Sequence, residues 1–296
     1  MKKITESVKG GRILLSDGAW GTMLFSKGLQ PGECPELWNV THRSEVLDLA
    51  RSYIDAGSDI IQTNSFGANR IKLAHYGLVN RATELNEAAA AISREAVGAD
   101  KLVFGSIGPT GKLLLLGDVT ADELVDAFRE QATGLQAGGV DALCLETFID
   151  IDEAVLAIET ARMFTDLELA CTFTFDKTVS GEYRTFMANT VEQVVRMLVS
   201  EGVDIIGTNC GNRIDGMIEI VRQIRELEPD LPILVHANAG VPTVDGTAVS
   251  YPDSPEIMAS RVAELVEAGA NIIGGCCGTT PDHIRAMRQA LAGISA

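Results

Sequence analysis

The chain has 296 residues, 46% hydrophobic and 22% charged, which suits one large α/β domain with a substantial core. Its formal charge of −17, from 24 basic and 41 acidic residues without a clustered Lys/Arg face, disfavours nucleic acid as a partner. No apolar run reaches the length of a membrane span, and the N-terminal MKKITESVKGGR lacks the apolar stretch of a secretory signal, so a cytoplasmic protein with reduced cysteines is expected.

Short apolar runs alternate with longer amphipathic stretches along the whole chain. RILLSD (12–17) comes first, and the helix-like SEVLDLARSYIDAG (44–57) leads into DIIQTN (59–64). LVFGSIG (102–108), ADELVDAFREQATGLQAGG (121–139) and ALCLET (142–147) follow, then LACTFTF (169–175). TVEQVVRMLVSEG (190–202) precedes DIIGTN (204–209); ILVHANA (233–239), SPEIMASRVAELVEAG (254–269) and NIIGGC (271–276) complete the series. The junctions AGSDII, AGGVDAL, EGVDII and AGANII place glycine where a helix C-cap needs it. One βα unit is being reused. Eight strand-like runs predict a (β/α)8 barrel, a single domain over residues 1–296. The competing doubly wound sheet is weakened because no G-x-G-x-x-G follows the first strand.

Barrel enzymes place their chemistry at the C-terminal ends of the strands. Here those ends carry Asp17, then Thr63 and Asn64, Ser106, Glu146 and Thr147, then Thr208, Asn209 and Cys210, then Asn238, and finally Cys276 and Cys277. Adjacent cysteines seldom pair with each other, because the ring they close is strained. Packing, redox chemistry, a nucleophile or a metal remain as reasons for Cys276–Cys277. Cys210 ends the sixth run and the pair ends the eighth, so one strand separates them. Three thiolates with one open coordination position describe a catalytic zinc site rather than a closed structural one. The bland alternative, small apolar packing, suits one buried cysteine better than three converging ones, and it is the reading for Cys34, Cys144 and Cys171. Zinc held by three thiolates is a poor generator of hydroxide but a good host for a soft thiolate. The chemistry indicated is attack by a small-molecule thiol on an electrophilic carbon.

SDGAWGT (16–22), GSDIIQTNSFGAN (57–69), SIGPTG (106–111), LCLETF (143–148), GTNCGN (207–212), HANAGVP (236–242) and GGCCGTTPDHI (274–284) resemble motifs of the homocysteine S-methyltransferases. That family includes the N-terminal homocysteine module of cobalamin-dependent methionine synthase and the betaine–homocysteine methyltransferases. The resemblance runs nearly end to end. It implies a (β/α)8 barrel, methyl transfer to the homocysteine thiolate to form methionine, and zinc on Cys210, Cys276 and Cys277 as the catalytic centre. It further implies Asp17 and Glu146 on the substrate ammonium, and backbone amides of Gly18 and of Thr63, Asn64, Ser65 and Phe66 on the carboxylate. Asn238 resembles the side chain that occupies zinc's open position before homocysteine arrives. Without the resemblance, Asp17 reads as a turn residue, Glu146 as a salt-bridged strand end and Asn238 as part of an Asn-Ala-Gly turn.

The methyl donor is the least defined part. Trp20 is a candidate cation–π wall for a methylated ammonium or sulfonium, against the commoner reading of a packed aromatic, and Tyr183 and Phe186 are candidates for the same mouth. None of the four histidines lies in the D-x-H-x-x-G pattern that ligates cobalamin, so no corrinoid is expected on this chain. Nor is there length for a folate domain. The expected donor is a methylated corrinoid on a separate protein, with betaine or another methylated onium compound as the alternative. A zinc lyase or hydrolase would want histidine or carboxylate ligands at the tips of strands six and eight. A reading of another class is a non-catalytic zinc- and thiol-binding barrel.

Overall fold

Eight strands recur along the chain: β1 Leu14–Leu15, β2 Ile60–Gln62, β3 Leu102–Ile107, β4 Ala142–Phe148, β5 Glu168–Phe173, β6 Ile205–Arg213, β7 Ile233–Asn238 and β8 Ile272–Gly275. The computed structural model describes residues 3–245 and 248–294. All pairings among these strands are parallel, in the order β1-β8-β7-β6-β5-β4-β3-β2. The sheet curls until its two ends meet, which sets aside the open doubly wound alternative. No ladder joins β1 to β2. The Asp59 N–H donates to the Leu15 carbonyl at 2.6 Å, and the Asp59 carboxylate accepts the Leu15 N–H at 3.0 Å. The Asp17 carboxylate accepts the Gln62 N–H at 2.8 Å. Two aspartates therefore close the seam.

Alternation along each strand divides the core into two layers. Leu14, Ile60, Leu102, Phe104, Ala142, Cys144, Ala170, Ile205, Leu234 and Ile272 point into the barrel, joined by Ile4 and Val8 from the N-terminal segment. Their neighbours Leu15, Ile61, Val103, Leu143, Cys171, Ile206, Val235 and Ile273 point outward against the helices. Cys144 and Cys171 thus pack as expected, one in each layer, and Cys34 sits in a small cluster with Leu73, Ala82 and Leu85. Ile4 and Val8 plug the N-terminal end of the barrel. The helical turn Ile4–Ser7 is held there by Glu168, which accepts the Ile4 N–H at 2.5 Å and also the Thr5 hydroxyl.

The surrounding helices start and stop where local chemistry directs. Thr120 and Thr190 form capping boxes with Glu123 and Gln193 at the starts of Ala121–Gly138 and Val191–Ser200. The helix Arg43–Ala56 ends at Gly57, in the left-handed region at φ 108°. The expected helix over 254–269 is two pieces, Pro255–Ser260 and Val262–Glu267, divided at Arg261, whose N–H closes a tight turn on the Met258 carbonyl at 3.1 Å. Two small hairpins rise from the C-terminal face, one after β5 and one after β7.

Candidate active site and metal centre

Two residues beyond an inward apolar residue on four of the strands, the interior becomes polar. Gln62 follows Ile60, Ser106 follows Phe104, Glu146 follows Cys144 and His236 follows Leu234. These four side chains line a cavity of about 370 Å³ at the C-terminal end of the barrel. Gly18, Trp20, Thr63, Asn64, Ser65 and Phe66 line it as well, with Cys210, Cys276 and Cys277. That volume lies in the range of small-ligand sites.

The backbone takes an unusual path to bring the three cysteines together. Continued alternation would turn Cys210 away from the interior side occupied by Asn209. The ladder between β6 and β7 is interrupted after Asn209, and Cys210 adopts a left-handed conformation with φ 58°. A non-glycine residue held there is strained, and such strain concentrates at functional sites. Cys276 is tied to β7 through its N–H and the Ala237 carbonyl at 2.7 Å, and its own carbonyl accepts the Thr279 hydroxyl at 2.7 Å. The glycines beside the pair make room: a Cβ at Gly274 would lie 2.7 Å from the His236 ring and 2.8 Å from the Asp17 carbonyl. As a result the three Sγ atoms all lie within 4.8 Å of one another. Tetrahedral zinc with bonds of about 2.3 Å would space them about 3.8 Å apart, inside that limit. Contacts with Cys210 and Cys276 hold Cys277 well below the usual thiol range, while contacts with Cys210 and Cys277 and burial push Cys276 up. A soft divalent ion suits this donor set.

Two buried carboxylates accompany the cysteines, in different circumstances. Glu146 lines the cavity and accepts from the Ser106 hydroxyl and from Gln62 Nε2 at 3.1 Å. Burial pushes its carboxyl up to about 7 against these hydrogen bonds. Asp17 is raised to about 7 by the same cause, but it does not line the cavity. Its carboxylate accepts from Ser16 Oγ at 3.2 Å, Trp20 Nε1 at 2.9 Å and the Gln62 N–H. It pins the indole wall as well as the barrel seam.

The loop after β2 also divides its work. The Thr63 amide is spent on the Phe104 carbonyl at 3.0 Å and the Ser65 amide on the Thr63 carbonyl at 2.9 Å. The Asn64 side chain donates to Pro35 and Asn39. The amides of Gly18, Asn64 and Phe66 have no protein acceptor among the described residues, and all three residues line the cavity. Asn238 lies behind the lining, with its buried Oδ1 unpartnered. Tyr183 and Phe186 do not reach the cavity: the Tyr183 hydroxyl donates to Glu219 at 3.0 Å, and Phe186 is exposed beside the hairpin. Trp20 does line it. Gln62 and His236 went unnoticed in the sequence, although each shares the face of an apolar strand residue two positions earlier. His236 is buried, pushed down to about 4 by that burial, and its Nε2 has no partner.

Residues 14–291 match the family model described as homocysteine S-methyltransferase. Methionine synthase of Mycobacterium leprae (strain TN) is 31% identical over 299 residues, covering 95% of this chain and 24% of that protein. The Mycobacterium tuberculosis (strain ATCC 25618 / H37Rv) methionine synthase is 32% identical over 301 residues, covering 96% and 25%. The chain therefore spans about a quarter of the length of these relatives. Among solved structures, the metallated form of the homocysteine methyltransferase MmuM from Escherichia coli superposes with a TM-score of 0.79 at 23% identity, covering 96% of this chain and 98% of that one. That likeness supports the barrel fold. With the family model matched from the first strand to the last helix, the chain belongs to the homocysteine S-methyltransferase family of enzymes.

Proposed function

We propose that this chain transfers a methyl group to the sulfur of homocysteine, giving methionine, with zinc resident on Cys210, Cys276 and Cys277. The observation that carries the reading is the convergence of three Sγ atoms within 4.8 Å on the wall of a cavity that also holds a buried carboxylate. Zinc bound there would hold the incoming thiol as a thiolate at neutral pH. The protein's own groups do the rest. Glu146 faces the cavity and takes the substrate ammonium, which favours the ionised carboxylate that burial opposes. Asp17 adds negative potential from behind the wall. The open amides of Gly18, Asn64 and Phe66 receive the carboxylate, with Thr63 and Ser65 shaping the loop that presents them. Asn238, with its free Oδ1, is the side chain assigned to the metal's fourth position before the substrate arrives.

The proposed donor is a methylated corrinoid carried by a separate protein, a reading supported by the resemblance of SIGPTGK and TNSFGANRIKL to the methionine-synthase module. A specific feature keeps a small methylated ammonium or sulfonium as the second reading: Trp20 forms part of the cavity wall, its indole N–H held by Asp17. No helix among the described residues is long and apolar enough to cross a membrane, and the six free cysteines suit the reducing cytoplasm, where we place the protein. The test is methionine formation by zinc-loaded protein with homocysteine and a panel of donors: a methylated corrinoid protein, methylcobalamin, betaine and a sulfonium. Turnover with the corrinoid donor is expected. Turnover with betaine alone would replace the donor, and zinc binding without turnover on any donor would favour a metal-buffering barrel.

A further inference from the structure

Gln131 stands on the buried face of the helix Ala121–Gly138, with its side chain directed at the loop after β2. It is fully buried. Its Nε2 donates to the Ser65 carbonyl at 2.6 Å and lies 3.5 Å from the Ser106 carbonyl. Both neighbours are acceptors, so the side-chain amide must present its nitrogen to them. That orientation leaves Gln131 Oε1 buried and without a partner among the described residues. A buried oxygen left so destabilises the fold, which makes packing alone a poor account of glutamine at this position.

Holding the Ser65 carbonyl fixes more than that oxygen. The peptide between Ser65 and Phe66 is trans, and in a planar trans unit the N–H points opposite to the C=O. With the carbonyl drawn to the helix, the Phe66 N–H points away from it. That N–H has no protein acceptor among the described residues, and Phe66 lines the cavity. The next peptide is held as well, because the Phe66 carbonyl accepts the Gly108 N–H at 3.0 Å. A Cβ at Gly108 would lie 2.5 Å from the Phe66 ring, so glycine there permits the close approach.

We infer that Gln131 is a positioning residue for the substrate: by gripping the Ser65 carbonyl it aims the Phe66 N–H at the carboxylate of the bound thiol. The inference rests on the reading above, in which homocysteine is the substrate and the open amides receive its carboxylate. Gln131 does not itself line the cavity. Its influence reaches the carboxylate end of the ligand and neither the sulfur nor the ammonium. Homocysteine should therefore feel its loss, and the same molecule without a carboxylate should not.

The test measures binding of homocysteine and of its decarboxylated analogue, an aminopropanethiol, by calorimetry on zinc-loaded wild type and Gln131→Met. Methionine keeps the side chain's length but removes the donor, and a buried carbonyl without a donor drives its peptide to turn. Homocysteine should bind the variant about 10-fold more weakly, near the low end for a hydrogen bond to a charged group. The aminopropanethiol should bind both proteins equally, with zinc content unchanged. Equal weakening of both ligands, or of neither, overturns the role of Gln131 and spares the homocysteine reading. A wild type that binds the two thiols equally well overturns the carboxylate contact and the inference with it, and one that binds neither overturns the homocysteine reading itself. Should the variant not fold, hydrogen exchange on wild type decides: homocysteine slows exchange of the Phe66 amide and the aminopropanethiol does not. Exchange unaltered by homocysteine overturns the inference.

Discussion

Replacing Glu146 with glutamine exchanges one oxygen for an amide nitrogen inside the barrel and leaves the side-chain shape alone. Oε1 accepts from Ser106 and Gln62, and the glutamine oxygen can accept from both. The wild-type carboxyl is raised by burial from its ordinary 4.5 to about 7, so the folded protein holds this proton more tightly than the unfolded chain. With a raised folded value, the stability contribution is fully present below about pH 4.5 and is lost as pH rises through about 7. At about 1.4 kcal/mol per pH unit, the loss amounts to about 3 kcal/mol. Glutamine has nothing to ionise. Glu146→Gln should therefore be more stable than wild type by up to about 3 kcal/mol at pH near 8, with the difference nearly gone at pH near 4.5. Homocysteine binding should weaken at the same time by about 1.5–3 kcal/mol, the range for a hydrogen bond to a charged group. Urea unfolding at the two pH values, on samples of matched metal content, reads the first effect, and calorimetry on zinc-loaded protein reads the second. A stability difference independent of pH, or undiminished homocysteine affinity, would refute the role given to this carboxylate.

Other perturbations separate the remaining roles. Cys210→Ala, Cys276→Ala and Cys277→Ala should each lose most of about one zinc per chain, measured by metal analysis after dialysis; full retention by all three would remove the centre. Trp20→Leu should cost a methylated onium donor about 1–2 kcal/mol in kcat/KM, through lost cation–π contact, and cost a corrinoid protein less. An equal loss with both donors would show that the indole only shapes the wall. Glu168→Ala removes the acceptor for the Ile4 N–H and the Thr5 hydroxyl. Loss of such a cap should lower stability by about 0.5–2 kcal/mol in urea with zinc content unchanged, and a drop in zinc content would contradict the separation of plug and site.

The barrel was legible because its signal is repetition: the turn from helix to strand recurs with glycine or aspartate at matching places, as in AGSDII and EGVDII. The cysteines were legible because three thiols fell at strand tips on two strands with one between. Which polar residues line the floor was harder to see. Gln62 and His236 look like ordinary strand interiors until the inward face is fixed by Ile60 and Leu234. The left-handed backbone at Cys210 leaves no mark in GTNCGN beyond the following glycine. Asp17 shows the opposite problem. Its place at the tip of β1 was evident, yet its three hydrogen bonds, one of them closing the seam, depend on Trp20 and Gln62 approaching from other elements. The contacts of Arg213 with the Asp253 carboxylate and of His283 with the Asp253 carbonyl are likewise products of closure, since their separations in sequence carry no pattern.

The plug at the N-terminal end of the barrel sets the cavity at the opposite end, among the strand-end loops. Ile4 and Val8 fill the bottom, Glu168 fastens them there, and the cavity lies inside the rim of strand-end loops. On the proposed reading, a thiol seated against Cys210, Cys276 and Cys277 would lie beneath a donor that covers the mouth, so the acceptor would enter first and the donor second. The methylated product would then leave after the spent donor. Traffic at the rim, rather than the chemistry below it, thereby sets the sequence of events, and initial-rate kinetics should show an ordered mechanism with the product competing against the thiol.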